Sequence, residues 1–434
     1  MSKALTATET PVTFVAFDVG PYFFPGSKGS LGGAETQAYL IARAIAHFTS
    51  HPVTVVIRDS QVRATEVVDG VKVVTLTDRL FRIRRFVSER ATVLKQFPWL
   101  QIHSFHPGLI WRVLVLAINR FWRIQTHTAD SPEGYVAALR EASDGIVCCK
   151  GVSDRTAGLF AAANAKGLRT VLFVASDSDL DSRYVADLSF INERGDTASL
   201  CATAVRTASV VVCQTETQQE LLSRNFGRDS QLFPNAFDEV TWLAALATAN
   251  RSSVNNNERY VLWIGRSDRS HKRPELLLEI ANRCPQIPFL MVMNVHDELI
   301  ASKIHRARPA NVRIIEKLPF EEMPGCFANA AMLLSTGSRQ QEGFPNVFLQ
   351  AAASGIPILS LEADPGFISN VNAGTVCDGN LDRLISELQS YWSDWDRTNT
   401  AGQNGLRYVL SHHSMKETAA RLEKLIYLAQ TAGY

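Results

Sequence analysis

The stretch AMLLSTGSRQQEGFPNVFLQAAASGIPIL, residues 331–359, predicts a strand, a loop, a helix and a second strand in succession. Pro345 suits the first helical turn because it lacks the N–H that would be unsatisfied there. Gly355 closes the helix, and the apolar run 356–361 then predicts another buried strand. Apolar strands that alternate with helices are typical of a parallel sheet covered on both faces.

The same alternation extends through both halves of the chain. The predicted strands are 12–17, 53–58, 71–76, 145–149, 170–176 and 209–215, and then 260–265, 288–295, 311–316, 331–336 and 356–361. Helical patterns occupy 32–48, 155–165, 196–208 and 274–284. We therefore predict an α/β protein of two Rossmann-like domains that face each other across a cleft. Such sheets bind ligands at the carboxyl ends of their strands, and two such edges would meet in this cleft.

Domain boundaries follow from shifts in composition. The polar stretch 248–259 is the best linker candidate. The last segment is an amphipathic helix opened by Ser414, with Glu417 at the spacing of a capping box. The predicted divisions are 1–237 for an N-terminal acceptor domain, 238–259 for the linker region, 260–413 for a C-terminal nucleotide-sugar domain, and 414–434 for a C-terminal helix that returns to the N-terminal domain.

Composition narrows the class of protein. The 434 residues are 46% hydrophobic and 20% charged, which is ordinary for a globular chain and excludes a disordered one. Lys and Arg total 44 against 43 Asp and Glu, so we expect no nucleic-acid partner. Seven scattered cysteines without a C-x-x-C pair, and an N-terminus unlike a signal peptide, predict a cytoplasmic protein. The most apolar run, 109–118, is too short to span a bilayer.

Residues 78–123 are harder to interpret. Leu80, Ile83, Val87 and Leu94 fall on one helical face, and the basic residues of 79–95 fall largely elsewhere. Those basic residues are Arg79, Arg82, Arg84, Arg85, Arg90 and Lys95. One interpretation, which we favour, is a packed helix with a solvated basic face. The other is a peripheral surface at the inner face of the membrane that meets anionic lipid headgroups or an anionic acceptor.

A first group of candidate site residues surrounds the end of strand 260–265. Arg266 follows that strand directly, and Lys272 stands in the loop before Pro274, which opens a helix. Two cations beside a helix N-terminus suit a diphosphate. The alternative is a pair of surface bases in a loop, and these residues alone would favour it.

A second group of candidate site residues favours the diphosphate site over a pair of surface bases. Glu342 and the segment Gly343-Phe344-Pro345-Asn346 stand at the turn from a strand to a helix. The amides of 343–347 begin a helix, where they can bond sugar hydroxyls or phosphate oxygens with help from the helix dipole. The Glu342 carboxylate can accept a hydrogen bond from a sugar hydroxyl.

Together these motifs strongly resemble the retaining glycosyltransferases of family 4, which adopt the GT-B fold. The resemblance rests on LGGAETQ (31–37), VVVCQTETQQELL (210–222), FPNAF (233–237), WIGRSDRSHKRP (263–274) and EGFPNVFLQAAASGIP (342–357). It implies that Arg266 and Lys272 hold the donor diphosphate and that Glu342 contacts the donor sugar. The implied donor-binding residues are Gly32, Gly33, Gly343, Phe344, Pro345, Asn346, Val347 and Gln350.

The chain departs from the family pattern at two positions. Gln350 stands where the family's second Glu usually bonds the nucleotide ribose, so a charge is lost although a carbonyl acceptor remains. The His that often lies beside the reacting carbon is missing, and Asp177, after the strand 170–176, is our candidate for that position. His103, His106 and His127 are interpreted as structural or exposed.

The Asp177-Ser178-Asp179 run resembles the metal-binding D-x-D of GT-A enzymes. Short motifs of this kind are weak signals. Arg266 and Lys272 can neutralise a diphosphate without an ion, so we expect no metal and no cofactor besides the nucleotide sugar.

The resulting hypothesis is a metal-independent, hexosyltransferase-like enzyme of polysaccharide biosynthesis. It moves a sugar with retention from a nucleotide-diphosphate sugar to a glycan, lipid-linked or small-molecule acceptor hydroxyl. Two alternatives stay open: a degenerate GT-B protein that binds a sugar nucleotide or glycan without turnover, and a sugar-nucleotide epimerase on the same fold.

Overall fold

The computed structural model describes residues 9–27, 32–88, 90–93, 100–102, 104–122, 129–140, 145–252, 259–316, 318 and 322–431. Leu94, Lys95, His103 and His127, for which predictions were made, lie outside the described residues.

Strands and helices alternate along the chain. The strands are β1 Val12–Val15, β2 Val53–Asp59, β3 Glu66–Val68, β4 Val71–Thr77, β5 Ala91–Val93, β6 Leu100–Ile102, β7 Ile146–Lys150, β8 Arg169–Phe173, β9 Val210–Cys213, β10 Gln231–Leu232, β11 Tyr260–Arg266, β12 Phe289–Asn294, β13 Val312–Ile315, β14 Ala330–Ser335, β15 Ile358–Ser360 and β16 Gly374–Val376. The helices are α1 Gly20–Phe23, α2 Gly33–Phe48, α3 Phe81–Ser88, α4 Gly108–Trp122, α5 Pro132–Ala138, α6 Asp154–Ala165, α7 Arg183–Ala186, α8 Ala198–Thr207, α9 Glu216–Phe226, α10 Glu239–Ser252, α11 Pro274–Arg283, α12 Glu298–Ala307, α13 Met323–Ala328, α14 Asn346–Ala353, α15 Phe367–Asn370, α16 Leu381–Ser393, α17 Trp395–His412 and α18 Met415–Thr431.

Two larger sheets organise these elements, as predicted. The first has the strand order β10-β9-β8-β7-β1-β2-β4-β3 and the second β13-β12-β11-β14-β15-β16, and a small antiparallel pair joins β5 to β6. The second sheet is parallel throughout. In the first sheet, β3 runs antiparallel to β4. Asp69 and Gly70, both at positive φ, connect these two strands, and an Asp-Gly pair between apolar runs is a strong hairpin signal.

The described chain divides into two compact units. The first comprises Met1–Leu172, Ser189–Val210 and Glu423–Tyr434, and the second comprises Phe173–Leu188 and Val211–Leu422. The end of α18 therefore belongs to the first unit, where the Gln430 side chain donates a hydrogen bond to the Thr10 hydroxyl. Ser414 caps this helix and accepts from the Glu417 amide at 3.3 Å. The predicted return of the C-terminal helix is confirmed.

Apolar side chains cover both faces of the second sheet. Trp263 and Phe289 belong to the cluster that includes α11 and α12, whereas Phe327, Phe348 and Phe367 belong to the cluster that includes α13 and α14. Because both faces are covered, polar residues of this sheet concentrate at the ends of its strands.

Helix α10 extends to Ser252, into the polar stretch 248–259, and residues 253–258 lie outside the described residues. One sequence prediction needs correction. The helix predicted over 79–95 is shorter, because α3 ends at Ser88 and Ala91–Val93 is a strand. Thr92 and Val93 are β-branched and favour the extended conformation. The buried residues of α3 are Phe81 and Val87.

All seven cysteines are buried and free of disulfide bonds. Within the described residues, no helix is both long and apolar enough to span a membrane.

Candidate active site

The loop that follows β11 is folded around a carboxylate. Asp268 accepts hydrogen bonds from the amides of His271 at 2.7 Å and Lys272 at 2.9 Å, and from the guanidinium of Arg266. Burial alone would raise the pKa of Asp268, but these donors outweigh it and lower the pKa. The loop therefore holds Arg266 and Lys272, the two predicted diphosphate ligands, in one turn.

Glu342 lies against this loop. Its carboxylate is contacted by the Lys272 ammonium, and its Oε1 lies 3.1 Å from Nε2 of His271. Glu342 is 7% exposed, and burial alone would raise its pKa, yet Lys272 and His271 lower the pKa to about 2. The structure thus brings three of the predicted site residues together, with Glu342 ionised.

His271 is a site residue that the sequence reasoning missed. Its Nδ1 lies 3.1 Å from a terminal guanidinium nitrogen of Arg266, and its Nε2 faces Glu342. The imidazole therefore lies between Arg266 and Glu342. Its position within the SHKRP segment, next to Lys272, was the signal that could have found it.

Arg273 fastens the same loop to the end of β14. It adopts a left-handed conformation with φ of 49°, which is uncommon for a residue with a side chain. Its Nε donates to the Thr336 carbonyl at 2.6 Å, and a terminal nitrogen donates to the Gly337 carbonyl at 2.9 Å. These bonds compensate for the backbone strain. A methyl group at Gly337 would lie 2.7 Å from Oε1 of Glu342, so the carboxylate packs directly on this backbone.

Two buried polar side chains, Asn235 and His413, hold the segment 343–346 in place. Asn235 donates to the Phe344 carbonyl at 3.0 Å and to Oδ1 of Asn346 at 3.1 Å. His413 in turn bonds the Asn235 carbonyl through Nδ1 at 2.6 Å and packs on the Phe344 ring. Asn235 belongs to the FPNAF motif, which the sequence singled out without assigning it a role.

Helix α14 begins one residue later than predicted. Pro345 precedes the first turn with a ψ of 120°, so it occupies the N-cap position and Asn346 starts the helix. The backbone at Pro345 is therefore extended, and the helical conformation begins only at the next residue. The first-turn amides, which include that of Val347, are those that α-helix geometry leaves without an intrahelical acceptor.

Gln350 lies in the middle of α14 and is 6% exposed. Its side-chain Oε1 is buried and accepts no hydrogen bond from the described part of the chain. An unsatisfied buried carbonyl is costly, which marks this oxygen as a candidate acceptor for a ligand donor.

Asp177 stands in a short 3-10 turn, Asp177–Leu180, a few residues after β8. The Gln218 amide donates to Oδ1 of Asp177 at 3.1 Å, while Gln218 Oε1 accepts from the Gln214 amide at 2.8 Å. Burial raises the pKa of Asp177 to about 6; the Gln218 bond opposes the shift, and the charges of Asp179 and Glu342 add to it. The pKa of Asp177 is therefore well above that of Glu342, although both carboxyl groups belong to the same unit.

Gly343 connects Asp177 to the rest of the site. A methyl group at Gly343 would lie 2.9 Å from Nε2 of Gln218, 3.1 Å from the Ala175 carbonyl and 3.2 Å from Cα of Ser176. Glycine permits this close backbone approach, which places the loop after Glu342 directly against the turn that carries Asp177. Gln218 was not singled out by sequence, since its role depends on this contact.

Gly32 and Gly33 belong to the first unit. Gly32 caps α2, and its carbonyl accepts from the amide and the hydroxyl of Thr36, at 3.0 and 2.8 Å. The pair thus opens a helix, as the sequence predicted.

In the Asp177-Ser178-Asp179 run, the Asp179 carboxylate accepts a hydrogen bond from the nearby Ala175 backbone amide at 2.8 Å. No group of three or more His, Cys, Asp or Glu side chains in the described residues is placed to hold a metal ion. His106 packs on the Phe86 ring and accepts from the Gly108 amide at 3.0 Å.

A family model described as glycosyl transferase-like matches residues 266–424, the stretch that carries Arg266, Lys272, Glu342 and Gln350. A search of curated proteins finds no match.

Solved structures resemble nearly the whole chain. A sucrose-phosphate synthase from Thermosynechococcus elongatus superposes with a TM-score of 0.67 at 14% identity, covering 98% of this chain and 100% of its own. A UDP-forming trehalose-phosphate synthase from Burkholderia xenovorans gives 0.63 at 10% identity, covering 98% and 99%. S. aureus TarM, solved with Fondaparinux, alpha-GlcNAc-glycerol and UDP, gives 0.63 at 12% identity, covering 97% and 100%. The chain therefore has the GT-B fold, and the family-model match supports a glycosyltransferase.

Proposed function

We propose that this protein is a retaining glycosyltransferase. It moves a sugar from a nucleotide-diphosphate sugar to a hydroxyl of a glycan, lipid-linked or small-molecule acceptor. The observation that carries the proposal is the ionised Glu342, held by Lys272 and His271 beside Arg266. This cluster lies where β11 and β14 end, and ligands of open α/β sheets bind at the carboxyl ends of strands.

Arg266 and Lys272 are the proposed diphosphate ligands. Arg266 is half-exposed and presents a planar fork that suits phosphate oxygens, whereas the Lys272 ammonium is largely buried and supplies a point charge. Both precede α11, a ten-residue helix whose N-terminal dipole adds to the positive potential. Charge that develops on the departing diphosphate would be stabilised by groups already in place.

Glu342 and the α14 segment are the proposed contacts for the sugar and the nucleoside. The carboxylate accepts from a sugar hydroxyl, and the backbone of 343–347 supplies donors for sugar and phosphate oxygens. The buried Oε1 of Gln350 fits a ribose hydroxyl as donor. Gly32 and Gly33 are proposed to approach the diphosphate through their backbone.

The proposed reaction places the acceptor oxygen on the anomeric carbon as the bond from that carbon to the diphosphate oxygen breaks. Attack occurs on the face that the diphosphate leaves, so the configuration is retained, and the acceptor proton passes to the departing phosphate oxygen. Asp177 is proposed to lie beside the reacting carbon because its turn packs on the loop after Glu342. The chemistry requires no metal ion, and catalysis comes from positioning and charge stabilisation.

Release of nucleoside diphosphate from a panel of nucleotide sugars tests this function. Arg266→Ala and Lys272→Ala should each lower turnover by about 10²-fold, the usual effect of removing one charge stabiliser. Arg269→Ala is the matched control, since Arg269 is an exposed cation of the same loop that pairs with Glu275. EDTA should leave turnover intact. Donor binding without diphosphate release in the wild type would instead support the binding-only alternative.

A further inference from the structure

Helix α4 carries an exposed apolar face in the first unit. Its residues Ile110, Trp111, Leu114, Ile118, Phe121 and Trp122 are between 48% and 81% exposed. At the period of an α-helix these positions all fall on one face, so they form one stripe along the helix. Single exposed apolar residues are common, but a contiguous face of this size marks an interaction surface.

The opposite side of α4 is already packed. Leu109 is buried, and the Arg112 guanidinium lies 3.8 Å from the centre of the Phe86 ring of α3. The same side chain donates to the Gly108 carbonyl at 2.9 Å. The helix is therefore anchored on α3, with its apolar stripe directed outward.

The segments that form α3 and α4 are rich in arginine. Residues 78–90 contain five arginines and two acidic residues, and residues 108–122 contain two arginines and no acidic residue. Asp78, one of the two acids, is fully buried and paired with Arg84. Arg79, just before α3, and Arg82, within α3, are exposed. An excess of five positive charges is thus concentrated here, in a chain whose net charge is only +1.

We propose that α4 lies in the interface of an anionic membrane, with its apolar stripe inserted and with Arg79 and Arg82 on the lipid headgroups. An amphipathic helix with a basic border binds in this way through apolar burial and attraction to anionic lipid. Trp111 and Trp122, near the two ends of the stripe, are the side-chain type enriched at this boundary. The charge excess opposes a second copy of the chain as the occupant, because two such faces would repel. The proposal does not depend on the proposed function.

Co-sedimentation of the full chain with vesicles tests the proposal. The wild type should bind phosphatidylcholine vesicles that contain about 30 mol% phosphatidylglycerol at low salt, and release as salt screens the arginines. Leu114→Glu combined with Ile118→Glu should lower the bound fraction at least about tenfold, because charges resist insertion. Leu299→Glu is the matched control, since Leu299 is 83% exposed on α12 of the second unit. Arg79→Gln with Arg82→Gln should weaken binding and flatten its salt dependence.

All substituted positions are exposed, so each variant should unfold at the same temperature as the wild type. Matching melting curves would exclude misfolding as the cause of weaker vesicle binding. No binding of the wild type to anionic vesicles at low salt would overturn the proposal. Undiminished binding of the Leu114→Glu and Ile118→Glu variant would overturn it as well. A wild-type dimer, seen by sedimentation without vesicles and dissociated by that variant, would assign the face to a second copy instead.

Discussion

Replacing Lys272 by methionine separates the electrostatic role of this residue from catalysis. Methionine keeps most of the side-chain volume and removes the charge that faces Glu342. The carboxylate is 7% exposed, so its ionised form depends on its cationic neighbours. We expect the variant to lose stability before any substrate is added.

The magnitude follows from the pKa of Glu342, which is lowered from 4.5 to about 2 although burial alone would raise it. A shift of that size corresponds to about 3 kcal/mol, since one pKa unit is worth about 1.4 kcal/mol. Removing one partner of a buried ion pair typically costs about 3–5 kcal/mol. Lys272→Met should therefore lower the free energy of unfolding at pH 7 by about 3 kcal/mol.

The lowered pKa of Glu342 also predicts how the stability difference between wild type and Lys272→Met changes with pH. A carboxyl group whose pKa is lower in the folded state stabilises the protein above its unfolded pKa of about 4.5, and this contribution is lost as the pH falls toward 2. The difference between wild type and Lys272→Met should thus be largest near neutrality and shrink below pH 4.5. Urea unfolding followed by tryptophan fluorescence suits the measurement, because Trp263 is buried and bonds Thr336 at the end of β14.

Two further variants complete this experiment. Adding Glu342→Gln to Lys272→Met should recover part of the lost stability, since no unpaired charge then remains buried. Arg269→Met should change stability by less than about 0.5 kcal/mol, as expected for an exposed pair. Equal stability of Lys272→Met and wild type at pH 7, or a difference that does not shrink on acidification, would refute the assignment of Lys272 as the partner that keeps Glu342 ionised.

Three other predictions concern the same unit. Arg266→Ala should reduce donor turnover about 10²-fold and leave unfolding nearly unchanged, as comparison of kinetics with melting curves will show. Gln350→Glu should tighten binding of free nucleoside diphosphate by about 1 kcal/mol in calorimetric titration, and unchanged affinity with a lowered melting temperature would exclude the ribose contact. Burial lowers the pKa of His413 to about 4, so the unfolded chain takes up the proton first, and up to about 3 kcal/mol of stability is lost as the pH falls from 6.5 to 4. His413→Gln should flatten this loss, whereas His412→Gln, at an exposed neighbour, should not.

Local patterns were sufficient for the architecture of the chain. Apolar runs such as 260–265 and 331–336 became β11 and β14, because a strand buried on both faces needs continuous apolar residues. The cap at Ser414 was equally readable. The hairpin at Asp69-Gly70 was readable too but was missed, and its signal lies in two adjacent residues.

The sequence alone determined which residue types reach the ends of the strands, including Arg266, Lys272 and Glu342. Tertiary structure alone decided that His271 lies between Arg266 and Glu342 and that Gln218 bonds Asp177 across 41 positions. It also decided that one apolar face of α4, which includes Ile110, Leu114 and Ile118, is exposed, although the composition of the helix resembles that of a core helix. The physical reason is that periodicity and capping act within a few residues, whereas burial, pairing and pKa depend on which distant segments the fold brings into contact.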